Sequence, residues 1–259
     1  MSDLYIFMNT VRDLIRPRKL GAVALLVALP ALLAMLIQTR SHHHGSGPQL
    51  YAALSTFLVY NFVLVILSVI FGTGVITQEV EQKTIVYLLT RPVARWRILL
   101  MKYGATVTVT TITVWLASLA LALTTVGARG LPHVGLLRDM GTLLVGALAY
   151  NALFLLGATV LERPLMFGLL FAFGWETWVP NLPGKFKYLS LMSYLRVLAP
   201  HNTGLDSGPA PNALEAAINA DVISNRVAII ALAAAILGAL AAALILFSTR
   251  EYVPREEAA

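Results

Sequence analysis

Few side chains in this sequence are of a type and spacing that could do chemistry. The chain of 259 residues contains no cysteine, which excludes a disulfide, a thiolate metal site and a cysteine nucleophile. Neither H-E-x-x-H nor G-x-x-x-x-G-K-[ST] occurs, so the zinc-protease motif and the nucleotide-binding P-loop are absent. Three consecutive histidines, His42, His43 and His44, could bind a metal ion, but neighbours in sequence rarely present a closed tetrahedral set. We predict a polar surface loop there, with no metal site and no enzymatic activity in this chain.

A single carboxylate stands inside a strongly apolar stretch. Glu176 is flanked by Trp175 and Trp178 within residues 164–180, which are otherwise apolar. A charge at the middle of a bilayer costs roughly 2.5–3.5 kcal/mol on insertion scales. Two interpretations therefore stay open. Glu176 is a functional contact near one membrane surface, or it is an interfacial residue satisfied by water or by the amino end of a half-helix.

Long stretches without charged residues organise the rest of the chain. Only 12% of the residues are charged, against roughly 25% in a soluble domain. Because about 20 apolar residues cross a bilayer as a helix, each charge-free run of 22 to 29 residues predicts a transmembrane span. The four such runs are 50–78, 103–128, 140–161 and 227–249. Two shorter apolar runs, 20–37 and 164–180, predict two further spans.

We therefore predict an all-α membrane protein with a single transmembrane domain, residues 1–259. The six transmembrane helices are expected at about 20–37, 50–77, 97–126, 138–161, 164–180 and 226–248. Ahead of them, apolar side chains recur at helical spacing, which predicts an amino-terminal interfacial helix within residues 1–19. Residues 181–225 are too polar to cross and too apolar to leave the membrane. We predict an outer, membrane-dipping, re-entrant helical segment there, between spans five and six.

The basic residues predict the orientation. With the amino terminus inside, 12 of the 19 Lys and Arg residues fall on the inner side. Because Lys and Arg concentrate in cytoplasmic loops, both termini are predicted to be cytoplasmic. Their placement at the ends of spans also argues against a nucleic-acid partner, despite the formal net charge of +6. The sequence contains no Asn-x-Ser/Thr sequon, which is consistent with a bacterial inner (cytoplasmic) membrane.

One charged stretch, residues 76–103, separates the second and third spans. Glu79 and Lys83 stand four residues apart with the acid first, which is the favourable order on a helix. Arg91 and Pro92 end that helix, because proline cannot continue it. We predict a cytoplasmic helix at 78–92 that docks against a partner; a plain cytoplasmic loop is the alternative.

The same stretch resembles the signature loop of ABC-2-type exporter permeases, which links the second and third spans of that family. Its pattern, E-x-E-x-x-T-x-x-x-L-L-x-R-P-x-x-R-x-x-x-L-x-x-K, runs here from Glu79 to Lys102. Lys83 departs from the glycine that often precedes the threonine. The interfacial helix, the six spans and the outer segment also fit, so the resemblance covers nearly the whole chain. The matching residues are Glu79, Glu81, Thr84, Leu88, Leu89, Arg91, Pro92, Arg95 and Lys102.

That resemblance implies the permease subunit of an ATP-driven ABC exporter. Helix 78–92 would be the coupling helix, in contact with two copies of a separate ABC ATPase subunit that binds ATP and Mg. It also implies a second permease subunit, identical or related, and no cofactor on this chain. The residues implied in ATPase coupling are Glu79, Glu81, Lys83, Thr84, Arg91, Pro92 and Arg95, with Glu162 and Arg163 as secondary contacts. Those predicted for the translocation path or its gate are Trp175, Glu176, Trp178 and Asn151, although interhelical hydrogen bonding is a second interpretation of Asn151.

Two other functions remain open at this point. The first is a non-transporting membrane anchor that recruits an ATPase for signalling or cell-envelope work. The second is an ion-coupled secondary transporter, although such proteins usually place several ionisable or broken-helix sites at mid-membrane. The cargo stays undefined among lipids, peptides, drugs and ions, and the scarcity of internal charges favours an amphipathic or hydrophobic compound.

Overall fold

The structure is a computed structural model that describes residues 2–15, 17–40, 47–81, 94–179, 184–199, 201 and 223–249. Every regular element within these residues is helical, which confirms the all-α class. Short turns of helix aside, the elements are α1 (Ser2–Leu14), α2 (Pro17–Arg40), α3 (Gly47–Leu54), α4 (Val65–Glu81), α5 (Arg95–Thr125), α6 (Leu136–Val160), α7 (Pro164–Leu170), α8 (Leu191–Leu198) and α9 (Asn225–Thr249).

Two of these helices continue through wider π-helical turns. Ser55–Leu64 joins α3 to α4, and Phe171–Trp175 continues α7 into the helical turn Glu176–Trp178. In the first stretch the amide of Asn61 donates to the carbonyl of Thr56 at 2.8 Å, so a polar side chain satisfies a backbone acceptor there. Because π-helical turns are rare and occur frequently at functional sites, both stretches are candidates for functional regions.

Five helices in the described part of the chain are long and apolar enough to cross a membrane. They overlap the predicted spans one to four and six. The predicted fifth span, 164–180, is helical from Pro164 to Trp178, which is 15 residues or roughly 22 Å of helix. A hydrocarbon core is roughly 30 Å thick, so the crossing by this segment stays a prediction. The five helices are Gly21–Thr39, Gly47–Thr77, Arg95–Thr125, Leu136–Val160 and Asn225–Thr249.

Helix α6 lies at the centre of the bundle. It packs against α4, α5 and α9, and also contacts α7 and α8. Close packing requires a small residue at Gly146, where a Cβ would lie 2.7 Å from Leu64 Cδ2 and 3.1 Å from Leu195 Cδ1. By contrast, α2 and α9 bury little of their surface within the chain. Most of the surface of those two helices is therefore available to lipid or to another subunit.

The two ends of the bundle have different chemistry. At one end α4, α6 and α9 finish and α5 begins, around a buried apolar cluster that includes Val75, Leu99, Leu155 and Phe247. We call this the Arg95 end. At the other end α3, the start of α6 and α8 meet around buried Asp139. We call this the Asp139 end.

Helix α1 packs against the Arg95 end of α5, where Phe7 approaches Gly104. Its buried residues include Ile6 and Leu14, while Leu4 and Met8 are mostly exposed. An exposed apolar face of this kind suits a membrane interface, and the interfacial position stays a prediction. The predicted segment 1–19 divides into two helices, because Pro17 is the first residue of α2. A proline is tolerated there since the first turn needs no N–H from it.

Candidate functional site

Two basic residues of the signature pattern connect the base of α5 to its neighbours. The Arg95 guanidinium donates to the carbonyl of Ser248 at 3.3 Å, one residue before α9 ends. The Lys102 ammonium, 3% exposed, donates to the carbonyl of Val75 on α4 at 3.3 Å. The Arg95 contact is favourable because the helix dipole places partial negative charge at the carboxyl end of α9. The start of α5 is therefore bonded to both α4 and α9.

The predicted coupling residues are only partly within the described chain. Glu79 and Glu81 belong to the last turn of α4, which continues to Glu81 rather than ending at 77. The backbone of the first residues of the predicted helix 78–92 therefore extends the second span. Lys83, Thr84, Arg91 and Pro92 lie outside the described residues, as do the three histidines at 42–44.

The predicted secondary contacts lie at the Arg95 end of the bundle. Glu162 and Arg163 form the exposed turn between α6 and α7. The turn is defined on both sides: the Leu161 amide donates to the Gly157 carbonyl at 2.9 Å, and the Phe167 amide donates to the Arg163 carbonyl at 3.3 Å. The fold thus brings Arg95, the end of α4 and this turn to the same end of the molecule.

Glu176 caps the amino end of α8. Its carboxylate, in a residue that is 2% exposed, accepts three hydrogen bonds from the chain 14 to 16 residues further on. The Ser190 hydroxyl donates at 2.6 Å, and the amides of Leu191 and Met192 donate at 3.1 Å each. A carboxylate is favourable at this position because the first N–H groups of a helix have no partner within it. The geometry corresponds to the half-helix interpretation of Glu176, and a role in gating stays a prediction.

The two tryptophans that flank Glu176 differ in their surroundings. The indole N–H of Trp175 donates to the carbonyl of Leu189 at 3.3 Å, and its ring stacks on Phe171 with 6.5 Å between centroids. Trp178 is 70% exposed. We call the continuous helical stretch Pro164–Trp178 the α7 segment. Trp175 therefore joins the end of the α7 segment to the chain before α8, while Trp178 faces outward from the bundle.

A buried polar cluster at the Asp139 end was not indicated by the sequence pattern. Asp139 is fully buried and accepts hydrogen bonds from Tyr51 and Tyr60, both at 2.8 Å. His201 Nε2 lies 2.7 Å from the same carboxylate. The hydroxyl of Tyr51 is also 3.2 Å from Ser118 on α5. The cluster links α3, the π-helical stretch, α5, α6 and the chain beyond α8.

Helix α8 is consequently held at both of its ends. Glu176 binds the amino end, while the hydroxyl of Thr142 donates to the carbonyl of Leu198 at 3.3 Å near the carboxyl end. Three residues later His201 reaches Asp139. Between these contacts, the hydroxyl of Tyr194 on α8 donates to the carbonyl of Tyr188 at 2.7 Å. Burial raises the pKa of this hydroxyl. Within its described residues, the predicted outer segment therefore contains a short α-helix that is anchored to the span helices.

Asn151 lies inside the bundle. It is fully buried, and its amide nitrogen is 2.8 Å from the Ala147 carbonyl, 3.2 Å from the Thr110 hydroxyl and 3.4 Å from the Ser68 hydroxyl. These partners lie on α6, α5 and α4 respectively. The contacts with Thr110 and Ser68 are interhelical hydrogen bonds of the kind that hold membrane helices together.

An apolar cavity of about 600 Å³ lies between α6 and the α7 segment. It reaches α4 at Thr73 and runs from the turn after α6 as far as Trp175. Its lining is apolar apart from one hydroxyl and one indole N–H. Of the residues predicted for a translocation path, the cavity contains only Trp175.

The sequence matches the model of the ABC-2 family transporter protein over residues 4–252. The match spans nearly the whole chain, from α1 through α9, and a comparison with curated proteins finds no match. Proteins of this family are membrane components of transporters, are not themselves catalytic, and usually work with an ABC ATPase. With its apolar helices, the chain is a multi-pass membrane protein that belongs to the ABC-2 transporter family.

Proposed function

We propose that this chain is the permease subunit of an ATP-driven exporter in the bacterial cytoplasmic membrane, with both termini in the cytoplasm. The Arg95 end is then the cytoplasmic face and the Asp139 end the outer face. The observation that carries the proposal is the pair of hydrogen bonds at the base of α5, from Arg95 to α9 and from Lys102 to α4. These bonds adjoin the segment that resembles the coupling helix.

The pair of bonds supports a mechanical role for helix 78–92. A partner that displaces this helix acts on the end of α4 and the start of α5 together, because the segment connects them. Lys102 holds those two helices to each other, and Arg95 links them to the end of α9. The buried apolar cluster around Leu99 and Phe247 transmits the displacement, since close-packed interiors are poorly compressible. We assign secondary ATPase contacts to Glu162, Arg163 and α1.

The proposed assembly contains four chains. Two ABC ATPase subunits bind ATP and Mg below the membrane, and two permease subunits, identical or related, pair within it. The exposed surfaces of α2 and α9 favour a second permease subunit surrounded by lipid. This chain contributes docking and a transport path, and the ATPase contributes the hydrolysis.

At the outer face we propose that α8 closes the transport path. The helix is short, anchored at both ends and packed between α6 and α9. Glu176, Trp175 and Trp178 lie where α8 meets the end of the α7 segment, so movement of α7 changes the contacts of α8. We assign Asn151 to helix association. The scarcity of charge favours an amphipathic or hydrophobic cargo.

The proposal is tested by purifying the protein in mild detergent and measuring the ATPase that accompanies it. The double variant Glu79→Ala with Arg91→Ala should retain at least tenfold less ATPase than the wild type. Arg129→Ala, which removes an exposed charge near the opposite end, is the matched control and should retain as much as the wild type. No ATPase on the wild type, or equal retention by all three proteins, would overturn the proposal.

Transport by vesicles separates the two remaining alternatives. An exporter should move a cargo only when ATP is supplied to the side of the ATPase. An ATPase that is retained and active while every cargo class stays untransported would favour a membrane anchor. Transport that follows an ion gradient and ignores ATP would favour a secondary transporter.

A further inference from the structure

The cavity between α6 and the α7 segment is not used by the coupling mechanism described above. We propose that it binds one acyl chain of a membrane phospholipid, which enters sideways from the leaflet at the Arg95 end. The proposal goes beyond the proposed function, because it requires neither an ATPase partner nor transport.

The chemistry of the lining excludes a polar ligand. Only two lining side chains have a polar atom, and both atoms are already hydrogen-bonded. The Thr73 hydroxyl donates to the Val69 carbonyl at 2.6 Å, and the Trp175 indole donates to the Leu189 carbonyl at 3.3 Å. A cavity of this kind holds no ordered water, because a buried water needs two to four polar partners. A hydrocarbon chain makes the dispersion contacts that the lining offers and loses no hydrogen bond.

The dimensions of the cavity correspond to one leaflet. It extends from Pro164 to Trp175, twelve residues of helix that rise by roughly 16 Å. Half of a hydrocarbon core is about 15 Å. The volume of about 600 Å³ falls within the roughly 300–1,000 Å³ of ordinary ligand sites. The site therefore has room for a single chain that lies parallel to α7.

The position of the opening identifies the bilayer as the source of the ligand. Leu161, Phe167 and Leu170 line the cavity and are 37%, 50% and 69% exposed. Their side chains face the surroundings of the bundle, which is hydrocarbon for a membrane helix. Arg163 is exposed in the turn at the same end of the cavity. A guanidinium binds phosphate in a bidentate manner, so Arg163, with Glu162 as its acidic neighbour in the turn, binds the phosphate of the headgroup while the cavity accepts the tail.

Two glycines with open space around them provide a substitution that fills the cavity and a control substitution that does not. A Cβ at Gly157, which lines the cavity, would have only Leu161 Cδ1 within 4 Å, at 3.8 Å. A Cβ at Gly141, near the opposite end of α6, would meet nothing within 4 Å, and Gly141 is exposed and lies outside the cavity. Gly157→Leu therefore blocks the site, and Gly141→Leu is its matched control on the same helix.

Native mass spectrometry of the whole permease, with phosphatidylglycerol added to the detergent micelles, tests the proposal. The wild type and Gly141→Leu should each retain one lipid per chain, and Gly157→Leu should retain at least tenfold less. Equal retention by the two glycine variants would overturn the proposal. The proposal would also be overturned if Gly157→Leu lost the permease dimer and kept the lipid, because the occupant of the cavity would then be a second copy of the chain.

Tryptophan quenching tests the site in a chain with unchanged glycines. The sequence has four tryptophans, so one variant can retain only Trp175 and another only Trp178. Phosphatidylglycerol brominated on its acyl chains should quench Trp175 saturably, with one lipid per chain. Trp178, which is 70% exposed and outside the cavity, should be quenched in proportion to the lipid content. Proportional quenching of both tryptophans would contradict the proposal.

Discussion

Replacement of Glu176 by alanine should release the amino end of α8. The substitution removes the acceptor of the Leu191 and Met192 amides and of the Ser190 hydroxyl. A buried donor left unpaired costs about 1–3 kcal/mol, or about 2 kcal/mol at the middle of that range. We therefore expect Glu176→Ala to lower the free energy of local opening of α8 by about 2 kcal/mol if one amide is left unpaired and by about 4 kcal/mol if both are.

Hydrogen exchange of the peptide that covers α8 measures this opening. Because 1.4 kcal/mol corresponds to a factor of ten, exchange should be roughly 30- to 700-fold faster in Glu176→Ala. Glu176→Gln keeps one carbonyl acceptor and should have a smaller effect. Glu162→Ala, at the exposed turn before α7, is the control and should leave α8 unchanged. An effect of Glu176→Ala below twofold, or an equal effect of Glu162→Ala, would refute the capping role.

Three further predictions concern helix packing. Gly146→Ala places a Cβ 2.7 Å from Leu64 Cδ2 and should lower the free energy of unfolding by about 1–3 kcal/mol. Gly141→Ala, in open space on the same helix, should leave that free energy unchanged. Unfolding in mixed micelles measures both. Asn151→Leu removes interhelical hydrogen bonds and should lower the same free energy by about 1 kcal/mol. Lys102→Met keeps the apolar stem and removes the donor to α4, so the folded yield should persist while permease-stimulated ATP hydrolysis falls severalfold.

The span helices follow from the sequence because their signal is local. In a membrane, a charge-free run of more than 20 residues forms all of its backbone hydrogen bonds within the run only as a helix. The described helices in four such runs, together with Gly21–Thr39, overlap the predicted spans. The segment 164–180 was harder to predict, because its helix is short and changes to π-helical geometry at Phe171.

The buried cluster at Asp139 depends on geometry that the sequence does not display. Tyr51 and Tyr60 are nine residues apart, which places them on opposite sides of an α-helix with 3.6 residues per turn. The π-helical turns from Ser55 onward have more residues per turn. The smaller rotation allows both hydroxyls to reach Asp139. The available signal was Asp139 itself, a charged residue within the first turn of a predicted span.

The hydrogen-bond partners of Glu176 could not be predicted from the sequence either. Its apolar surroundings indicate an unusual carboxylate, but its hydrogen-bond donors come from residues 190–192. That partnership depends on how α7 and α8 meet in the fold. Arg95 and Lys102 are the reverse case, because the signature pattern already marks both residues in the sequence. The structure adds the identity of their acceptors, the carbonyls of Ser248 and Val75.

The central claim, that residues 78–92 dock on an ABC ATPase, is tested most directly by cross-linking from a single cysteine. The sequence contains no cysteine, so each of two variants has a single thiol. Thr84→Cys places it within residues 78–92, and Arg129→Cys places it near the Asp139 end. With a short thiol-to-amine cross-linker, Thr84→Cys should join the permease to a co-purified ATPase, and Arg129→Cys should not. Cross-linking from Arg129→Cys alone, or from neither position while the ATPase co-purifies, would contradict the account.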